Sequence, residues 1–354
     1  MILKNAWYVA AEPGEIGRTP FARTICNAPI VFWRTLAGEA VAFEDRCCHR
    51  RMPLRKGALE GDVLRCYYHG LEFQPDGTVH RVPGQTAVPP GARVRTYPIV
   101  ERYNWVWIWM GDPALADPDA IVPYPWKTSA EWGDKGTYFH VNADYRLIVD
   151  NLLDLTHLAF VHASTIGNYA VAENAEQRVI RDGDKVTVAR WIVNQAPPPT
   201  YQKAGGFAPD QLVDRWQIIE WRPPAFVRLF TGAGPGAAEG KDFGFTDLEH
   251  PTPESGFGLR NLNAITPETE TTCHYFWSQC HDIKPITEAT TDMVYRQILK
   301  AFHQDWEVFE AQQANWDGRP VIDTNGDAGP LAARRILERL AAAEAAGGRA
   351  AAAE

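Results

Sequence analysis

Two cysteine–histidine pairs near the N-terminus constrain the fold of this sequence most. Cys47-x-His49 is followed, after sixteen residues, by Cys66-x-x-His69. Each spacing lets a thiolate and an imidazole converge on one metal from a tight turn. Two thiolates and two imidazoles suit either Zn²⁺ or a 2Fe–2S centre, and spacing alone does not separate the two. The pairs therefore predict a metal site carried on two loops.

The sequence around these loops reads as a small all-β domain over residues 1–116. Short segments rich in β-branched and aromatic residues, such as "PIVFWRT" and "NWVWIWM", alternate with Gly, Asp and Pro, a pattern typical of short strands. "QPDGTV" at 74–79 is a hairpin turn signal. After "WMGDP" the strand pattern stops, and we place the domain boundary there.

A second domain is predicted over residues 117–340, since a chain of 354 residues is long for one core. It begins with a strand that leads into an apolar-periodic helix at 138–162, continues with several strands between 178 and 265, and ends with a helix from about Glu288 to Gln313. The predicted fold class is α+β, with an antiparallel sheet flanked by helices. Residues 341–354 form an Ala-rich tail without a chemical role.

Composition excludes several classes of function. A net charge of −9 argues against nucleic-acid binding, which needs a basic surface. No apolar run approaches the roughly 20 residues that span a bilayer. Six cysteines in a chain without a secretory signal do not form a disulfide scaffold, so we expect a cytoplasmic protein with reduced thiols.

A second cluster lies in "DNLLDLTHLAFVHAS". Asn151, Asp154 and His157 are three residues apart and share one face of a helix. His162 follows His157 by five residues, about 140° further round a regular helix, so both imidazoles reach one ion only across a π-bulge or a local break. Burying such groups on an apolar helix is costly without partners. The cluster therefore predicts a metal site.

Two histidines and one carboxylate form the facial triad of non-haem Fe(II) oxygenases, which leaves positions open for O₂ and substrate. The candidate carboxylates downstream are Asp282, Asp292 and Asp305. Asp305 is favoured because it lies mid-helix, where Asp has poor propensity, on the same face as Phe302 and Phe309.

Together these motifs resemble a known family, the oxygenase components of Rieske non-haem iron monooxygenases, in particular the vanillate O-demethylases, with dicamba O-demethylase and toluenesulfonate methyl-monooxygenase as relatives. The two cysteine–histidine pairs followed by "GLEF", and N-x-x-D-x-x-H-x4-H from Asn151 to His162, carry the resemblance. "NAWYVA", "IWMGDPALADP", "VDRWQI" and "ITPETE" extend it over nearly all of the chain to about residue 320.

The resemblance implies a role for each motif. Ligands of a 2Fe–2S cluster would be Cys47, His49, Cys66 and His69, and ligands of a mononuclear iron would be His157, His162 and Asp305. Asp154 would bridge the cluster of one subunit to the iron of its neighbour in a head-to-tail homotrimer, and Asn151 would lie beside the iron. Cys48 stands where the family usually has proline, and we expect it not to be a ligand.

The resemblance also implies the reaction. A separate flavin and iron–sulfur reductase, or a ferredoxin, would pass electrons from NAD(P)H to the cluster. With O₂, a vanillate-like methoxylated aromatic acid would be O-demethylated to a phenol and formaldehyde. Alternatives are an N-demethylase or a methyl or ring hydroxylase for another aromatic substrate, and, in another class, a non-enzymatic electron carrier or a zinc-binding module.

The predicted substrate pocket rests on weaker signals. Resemblance places Leu229, Thr231 and Asn263 on strands that face the iron, and Leu229 and Thr231 share one strand face. Arg296 could pair with a substrate carboxylate or sulfonate. Nine residues of regular helix, however, put Arg296 opposite Asp305, which favours an ordinary surface residue.

Overall fold

The computed structural model describes residues 1–236, 245–254 and 256–351, and it divides into two compact units. One contains Ile2–Ile121 and Thr266–Thr269, and the other contains Met1, Val122–Ile265 and the chain from Glu270 onward. The predicted boundary after residue 116 lies close to this division, and the exact domain limits stay a prediction.

The N-terminal unit consists of short antiparallel strands in three small sheets. Their orders are β1-β10-β9, β2-β3-β4 and β5-β6-β7-β8. The strands are β1 (Trp7–Ala11), β2 (Phe21–Ile25), β3 (Ala28–Arg34), β4 (Ala40–Glu44), β5 (Ala58–Glu60), β6 (Val63–Arg65), β7 (Glu72–Phe73), β8 (Val79–Arg81), β9 (Ile99–Arg102) and β10 (Trp105–Trp109). Trp33 and Phe43 pack edge to face in a core that also includes Cys47 and Cys66, so the cysteine loops are anchored in packed side chains.

The C-terminal unit is built on one large antiparallel sheet in the order β11-β17-β16-β15-β14-β13-β12. The strands are β11 (Gly133–Val141), β12 (Glu176–Asp182), β13 (Lys185–Gln195), β14 (Val213–Arg222), β15 (Phe226–Pro235), β16 (Phe257–Pro267) and β17 (Cys273–His281). The helices are α1 (Tyr145–Leu153), α2 (Ala170–Glu173), α3 (Pro199–Gly205), α4 (Glu288–Ala314) and α5 (Ala328–Ala351). The predicted fold class, an all-β domain followed by an antiparallel sheet with flanking helices, is confirmed.

Two helices of this unit position the functional residues. Helix α1 begins at Asp144, whose side chain accepts a hydrogen bond from the backbone nitrogen of Arg146, and it contacts β14, β15 and α4. Helix α4 packs on β11 and β17, where Phe302 stacks on Trp277 with ring centroids 4.3 Å apart. The two helices therefore contact each other while packing on different strands of the same sheet.

The C-terminal end of the chain continues helix α5. Residues 341–351, predicted as a tail, are helical, and residues 352–354 lie outside the described residues. None of the helices in the described residues is both long enough and apolar enough to cross a lipid bilayer.

Candidate metal centres and substrate cavity

The two cysteine–histidine loops share one backbone plan. The nitrogen of Cys47 donates to the oxygen of Met52, and the nitrogen of Cys66 donates to that of Leu71, each spanning five residues. Four residues after each cysteine, Arg51 and Gly70 adopt positive φ angles of 62° and 72° and donate back to the cysteine oxygen. The loops are therefore two copies of one turn, which brings the pairs face to face.

Within this arrangement the thiols and the imidazoles are segregated. Cys47 and Cys66 are buried, whereas His49 and His69 are exposed, with their ring centroids 4.6 Å apart. Burial raises the pKa of the Cys47 thiol to about 12, and the neighbouring Cys66 adds to this rise. Such a thiol ionises readily only beside a cation, so the pair fits a metal-binding role.

The geometry also separates the two metals that the spacing left open. One zinc ion would draw all four ligand atoms to within about 4 Å of one another. Among the described residues, only one set of three or more His, Cys, Asp or Glu side chains has its potential ligand atoms within 4.8 Å of one another, namely His157, His162 and Asp305. Two thiols on one side and two imidazoles on the other fit the two irons of a 2Fe–2S cluster instead.

The second cluster is assembled where helix α1 ends and the backbone changes conformation. Asp154, with φ −118° and ψ 100°, ends that helix, and the chain continues as a 3-10 helix over Leu155–Ala159. His157 lies within this 3-10 helix, which ends at Ala159, before His162, so the two histidines do not share a regular helix. Close by, Gly167 passes so near Leu158 that a Cβ there would lie 1.7 Å from the Leu158 oxygen, so only glycine fits.

Three side chains converge as a facial set. Nε2 of His162 lies 2.9 Å from Oδ1 of Asp305, and Nε2 of His157 lies 3.6 Å from the same atom. The potential ligand atoms of the three residues all lie within 4.8 Å of one another. Asn151 lies beside them, with Nδ2 3.3 Å from Asp305 Oδ1. The structure thus brings together the two histidines with the one carboxylate that the helix pattern favoured.

Hydrogen bonds behind the histidines select the ring nitrogen that faces Asp305. Nδ1 of His157 donates to the Asp154 backbone oxygen at 2.8 Å, and Nδ1 of His162 donates to Oε1 of Gln304 at 2.9 Å. In the neutral form of each ring, Nε2 is then the nitrogen that can bind a metal, and both Nε2 atoms face Asp305. Burial lowers the pKa of His157, which favours the neutral imidazole that binds metals.

The pKa of His162 moves the other way. Burial alone would lower it, but the Asp305 carboxylate and Gln304 outweigh burial and hold it above its ordinary value.

The remaining candidate carboxylates lie elsewhere: Asp282 accepts from the Gly258 nitrogen, and Asp292 pairs with Lys135 and Arg296. The donor set of two imidazoles and one carboxylate suits non-haem Fe(II).

Asp154 has a tightly packed carboxylate. It accepts hydrogen bonds from the backbone nitrogen and the hydroxyl of Thr156, both at 2.9 Å, and it lies 3.7 Å from the buried Arg190 guanidinium. A Cβ on Gly326 would lie 2.5 Å from it. The Asp154 backbone orients His157 while the Asp154 side chain is held separately, and the bridging role that the family resemblance implies for Asp154 stays a prediction.

A cavity opens beside the His157–His162–Asp305 set, with about 610 Å³ of empty space that includes solvent at its mouth. Its lining is mainly apolar, as in many small-molecule sites. Leu229 and Thr231, predicted pocket residues, belong to it, and Asn151 does too. The polar residues that sequence reasoning missed are Gln217, Asn261 and Gln279. Their signal was an amide side chain within a strand that is buried along nearly its whole length.

Two predicted pocket residues lie outside the cavity lining. Asn263 is on the predicted sheet face, but its amide is fully buried, donating to Asn261 and accepting from the Tyr275 hydroxyl. Arg296 has a side chain 74% exposed and pairs with Asp292 on the helix surface. The structure thus replaces Asn263 by Asn261 as the lining asparagine and places Arg296 on the surface.

Comparisons with known proteins agree with both centres. The model of the vanillate O-demethylase oxygenase C-terminal domain matches residues 141–343, more than half of the chain, and that of the Rieske [2Fe-2S] domain matches residues 6–98. Fold and site thus define an oxygenase component of the Rieske non-haem iron type, which is a monooxygenase. The chain belongs to the family of the vanillate O-demethylase oxygenase components, so the zinc-module and electron-carrier alternatives are wrong.

Individual relatives align over nearly their whole length. The chain is 42% identical to the toluene-4-sulfonate monooxygenase system iron–sulfur subunit of Comamonas testosteroni, covering 97% of this chain and 98% of that one. It is 37% identical to a vanillate O-demethylase oxygenase subunit of a Pseudomonas strain, over 97% and 96%. A crystal structure of dicamba monooxygenase bound to 3,6-dichlorosalicylic acid superposes with a TM-score of 0.85, at 32% identity, over 97% and 98%.

Proposed function

We propose that this terminal oxygenase O-demethylates a methoxylated aromatic acid, using O₂ and electrons from NAD(P)H. The observation that carries the proposal is the cavity of about 610 Å³, mainly apolar, that ends at His157, His162 and Asp305. An aromatic ring fits such a lining, and a methyl group directed at the three ligands meets the reacting centre. Relatives named for vanillate and dicamba O-demethylation support the choice of an aryl methyl ether.

The proposed ligands follow from the geometry. His157, His162 and Asp305 would hold a mononuclear Fe(II), while Cys47 and Cys66 would hold one iron of the 2Fe–2S cluster and His49 and His69 the other. A solved dicamba monooxygenase contains non-haem iron, which supports the first assignment. Iron at this facial set supplies the oxidation of a C–H bond by O₂, and the protein sets its ligation and access.

The chain's own residues perform the remaining tasks. Asp154 and Gln304 fix the ring orientation of the two histidines, and the apolar lining excludes bulk water from the substrate methyl group. The reaction takes up O₂, two electrons and two protons. One oxygen atom enters the methyl C–H bond to give a hemiacetal, whose carbon–oxygen bond breaks to release a phenol and formaldehyde, and the second leaves as water.

We further propose that the working form is a head-to-tail homotrimer that receives electrons from a separate flavin and iron–sulfur reductase or a ferredoxin. The exposed edges of His49 and His69 support electron entry at the cluster loops. Arg50, Arg51 and Lys56 are exposed on the same loop segment and would favour an acidic donor protein. None of the six cysteines, all of which the structure describes, forms a disulfide, which fits the proposed cytoplasmic location.

The test is product analysis with purified, iron-loaded protein and a matched reductase. We expect 4-hydroxy-3-methoxybenzoate to yield the corresponding diphenol and one formaldehyde for each NADH consumed. Ring or methyl hydroxylation without formaldehyde would contradict O-demethylation. Chromatographic identification of the product separates O- from N-demethylation, since both release formaldehyde.

Oxidation of a ring methyl group is the second candidate. It is favoured by the 42% identity to two subunits of toluene-4-sulfonate monooxygenase systems, one of them named as putative. The same cavity accommodates an aryl methyl group, and the product would be a benzylic alcohol without formaldehyde. Parallel incubation with 4-methylbenzenesulfonate decides between the two candidates.

A further inference from the structure

One wall of the cavity carries a pair of polar side chains on neighbouring strands. Gln217 of β14 and Thr231 of β15 lie directly opposite each other in the strand register, and both line the cavity. Side chains in such cross-strand positions are neighbours, with Cβ atoms about 5 Å apart. The two therefore present a carboxamide and a hydroxyl side by side to whatever occupies the cavity.

Gln217 differs from the other amides of the cavity in lacking partners. Its residue is 1% exposed, and its Oε1 has no hydrogen-bond partner among the described residues. Asn261 and Gln279, by contrast, are engaged: Asn261 Nδ2 donates to Gln279 Oε1 at 3.1 Å, and Gln279 Nε2 donates to the backbone oxygen of Cys280 at 3.1 Å. The glutamine side chain on β17 is thus hydrogen-bonded, whereas the side-chain oxygen of the glutamine on β14 has no partner.

An unsatisfied buried acceptor destabilises a fold unless a ligand supplies the missing donor. An apolar side chain of equal length, such as Met, would serve packing better at this position. Gln217 lines the substrate cavity, so a bound substrate is in position to supply the missing donor.

We propose that Gln217 is a specificity-determining residue that contacts substrate, with Oε1 accepting a hydrogen bond from a hydroxyl group on the aromatic ring. This inference rests on the proposed function for its aromatic ligand. The described cavity lining contains no Lys or Arg that could neutralise a phenolate. We therefore assign the donor to Gln217 Oε1 as a neutral ring hydroxyl. Thr231 completes the subsite, because its hydroxyl both donates and accepts.

The first experiment measures stability, with a matched pair of substitutions. Gln217→Met removes an amide that has no partner, so the melting temperature should stay equal or rise. Gln279→Met, in the same cavity, breaks hydrogen bonds to Asn261 and the backbone, so the melting temperature should fall. A loss in Gln217→Met as large as that in Gln279→Met would overturn the proposal, because Gln217 would then be serving the fold.

The second experiment measures ligand binding to the iron-loaded protein by calorimetry, without reductase. Wild type should bind 4-hydroxy-3-methoxybenzoate about tenfold more tightly than 3-methoxybenzoate, the effect of one hydrogen bond of about 1.4 kcal/mol. In Gln217→Met the two ligands should bind about equally, while Gln279→Met should keep a preference. Equal binding of both ligands by wild type, or no binding of the hydroxylated one, would overturn the proposal.

The binding result is separable from the proposed function. If wild type prefers the hydroxylated ligand and Gln217→Met loses that preference, yet no formaldehyde appears with reductase and NADH, then O-demethylation fails and the assignment of Gln217 stands. If formaldehyde appears with both ligands and wild type does not distinguish them, O-demethylation stands and the assignment fails.

Discussion

At the scale of single residues, the metal centre depends on side chains that would not touch the metal. Gln304 precedes the proposed ligand Asp305 on α4, and its Oε1 accepts hydrogen bonds from His162 Nδ1 and from the Thr165 hydroxyl at 3.3 Å. One amide oxygen thus sets both the tautomer of an imidazole and its position. Such outer partners of metal-binding histidines contribute measurably to metal affinity.

We predict that Gln304→Leu weakens iron retention by roughly 10- to 100-fold, because His162 loses the acceptor that holds its ring. The measurement is iron content after dialysis against a graded chelator, with the visible spectrum of the cluster as internal reference. Gln312→Leu, at an exposed position of the same helix, is the control. Equal iron retention in both variants would show that Gln304 does not position His162.

Individual residues also show how far sequence reasoning reaches. The cysteine and histidine spacings, and the inward face of Asp305, were sufficient to name side chains that the structure brings together. Asn263 was assigned to the correct strand face, but residues two apart share a face, and which of them reaches a cavity depends on neighbouring strands. Gln217 was missed because its unsatisfied oxygen is a property of its surroundings.

At the scale of elements, the break after α1 and the pairing within the sheet build the site. The helical pattern required either a π-bulge or a break between His157 and His162, and the structure shows a break, since the 3-10 helix that carries His157 ends at Ala159. Its form was not predictable, because it depends on tertiary contacts such as that between Gly167 and Leu158. The wall of the cavity in turn depends on β14 and β15 holding their register.

That register is reinforced by a buried ion pair. Glu220 of β14 and Arg228 of β15 lie opposite each other, both side chains are buried, and they form a salt bridge. Burial alone would raise the pKa of Glu220, but Arg228 and Arg222 outweigh it and hold the pKa below its ordinary value. A carboxyl group with a depressed pKa stabilises the fold above its unfolded-state pKa, and this contribution is lost as pH falls.

We predict that Glu220→Gln lowers the free energy of unfolding at pH 7 by roughly 1–3 kcal/mol. The difference from wild type should shrink as pH falls below about 4.3, where the glutamate becomes protonated first in the unfolded chain and, at lower pH, in the folded protein too. Urea unfolding at a series of pH values measures it. Glu176→Gln, in an exposed pair with Arg178 on β12, should have little effect at any pH. A difference that grows on acidification would contradict the assignment.

At the scale of the whole molecule, the proposed trimer makes the two metal centres of one chain work with different partners. Such a head-to-tail contact closes into a ring when its rotation permits. Each ring junction would join the cluster loops of one subunit to the Asp154 region of the next. Activity would then belong to pairs of neighbouring subunits rather than to single chains.

We predict that two inactive variants regain activity when they assemble together. His49→Ala should lack a functional cluster, with little effect on packing because the side chain is exposed, and His157→Ala should lack the mononuclear iron while keeping the cluster's colour. In each mixed ring of three subunits, one of the three junctions joins an intact cluster to an intact iron site. Co-expression with two affinity tags, followed by formaldehyde assay, measures it. Mixed rings without activity would show that electrons stay within one chain.

Helix α4 carries Asp305 and also Ile298, Ala301 and Phe302 of the cavity. A substitution that adapts this side of the cavity to another substrate therefore risks moving Asp305, because the same helix carries both the cavity residues and the proposed iron ligand. Gln217 and Thr231, by contrast, belong to strands that supply none of the proposed ligands. Descendants of this enzyme can thus acquire new substrates by substitutions in the sheet without losing their chemistry, and a laboratory library aimed at altered selectivity is best concentrated there.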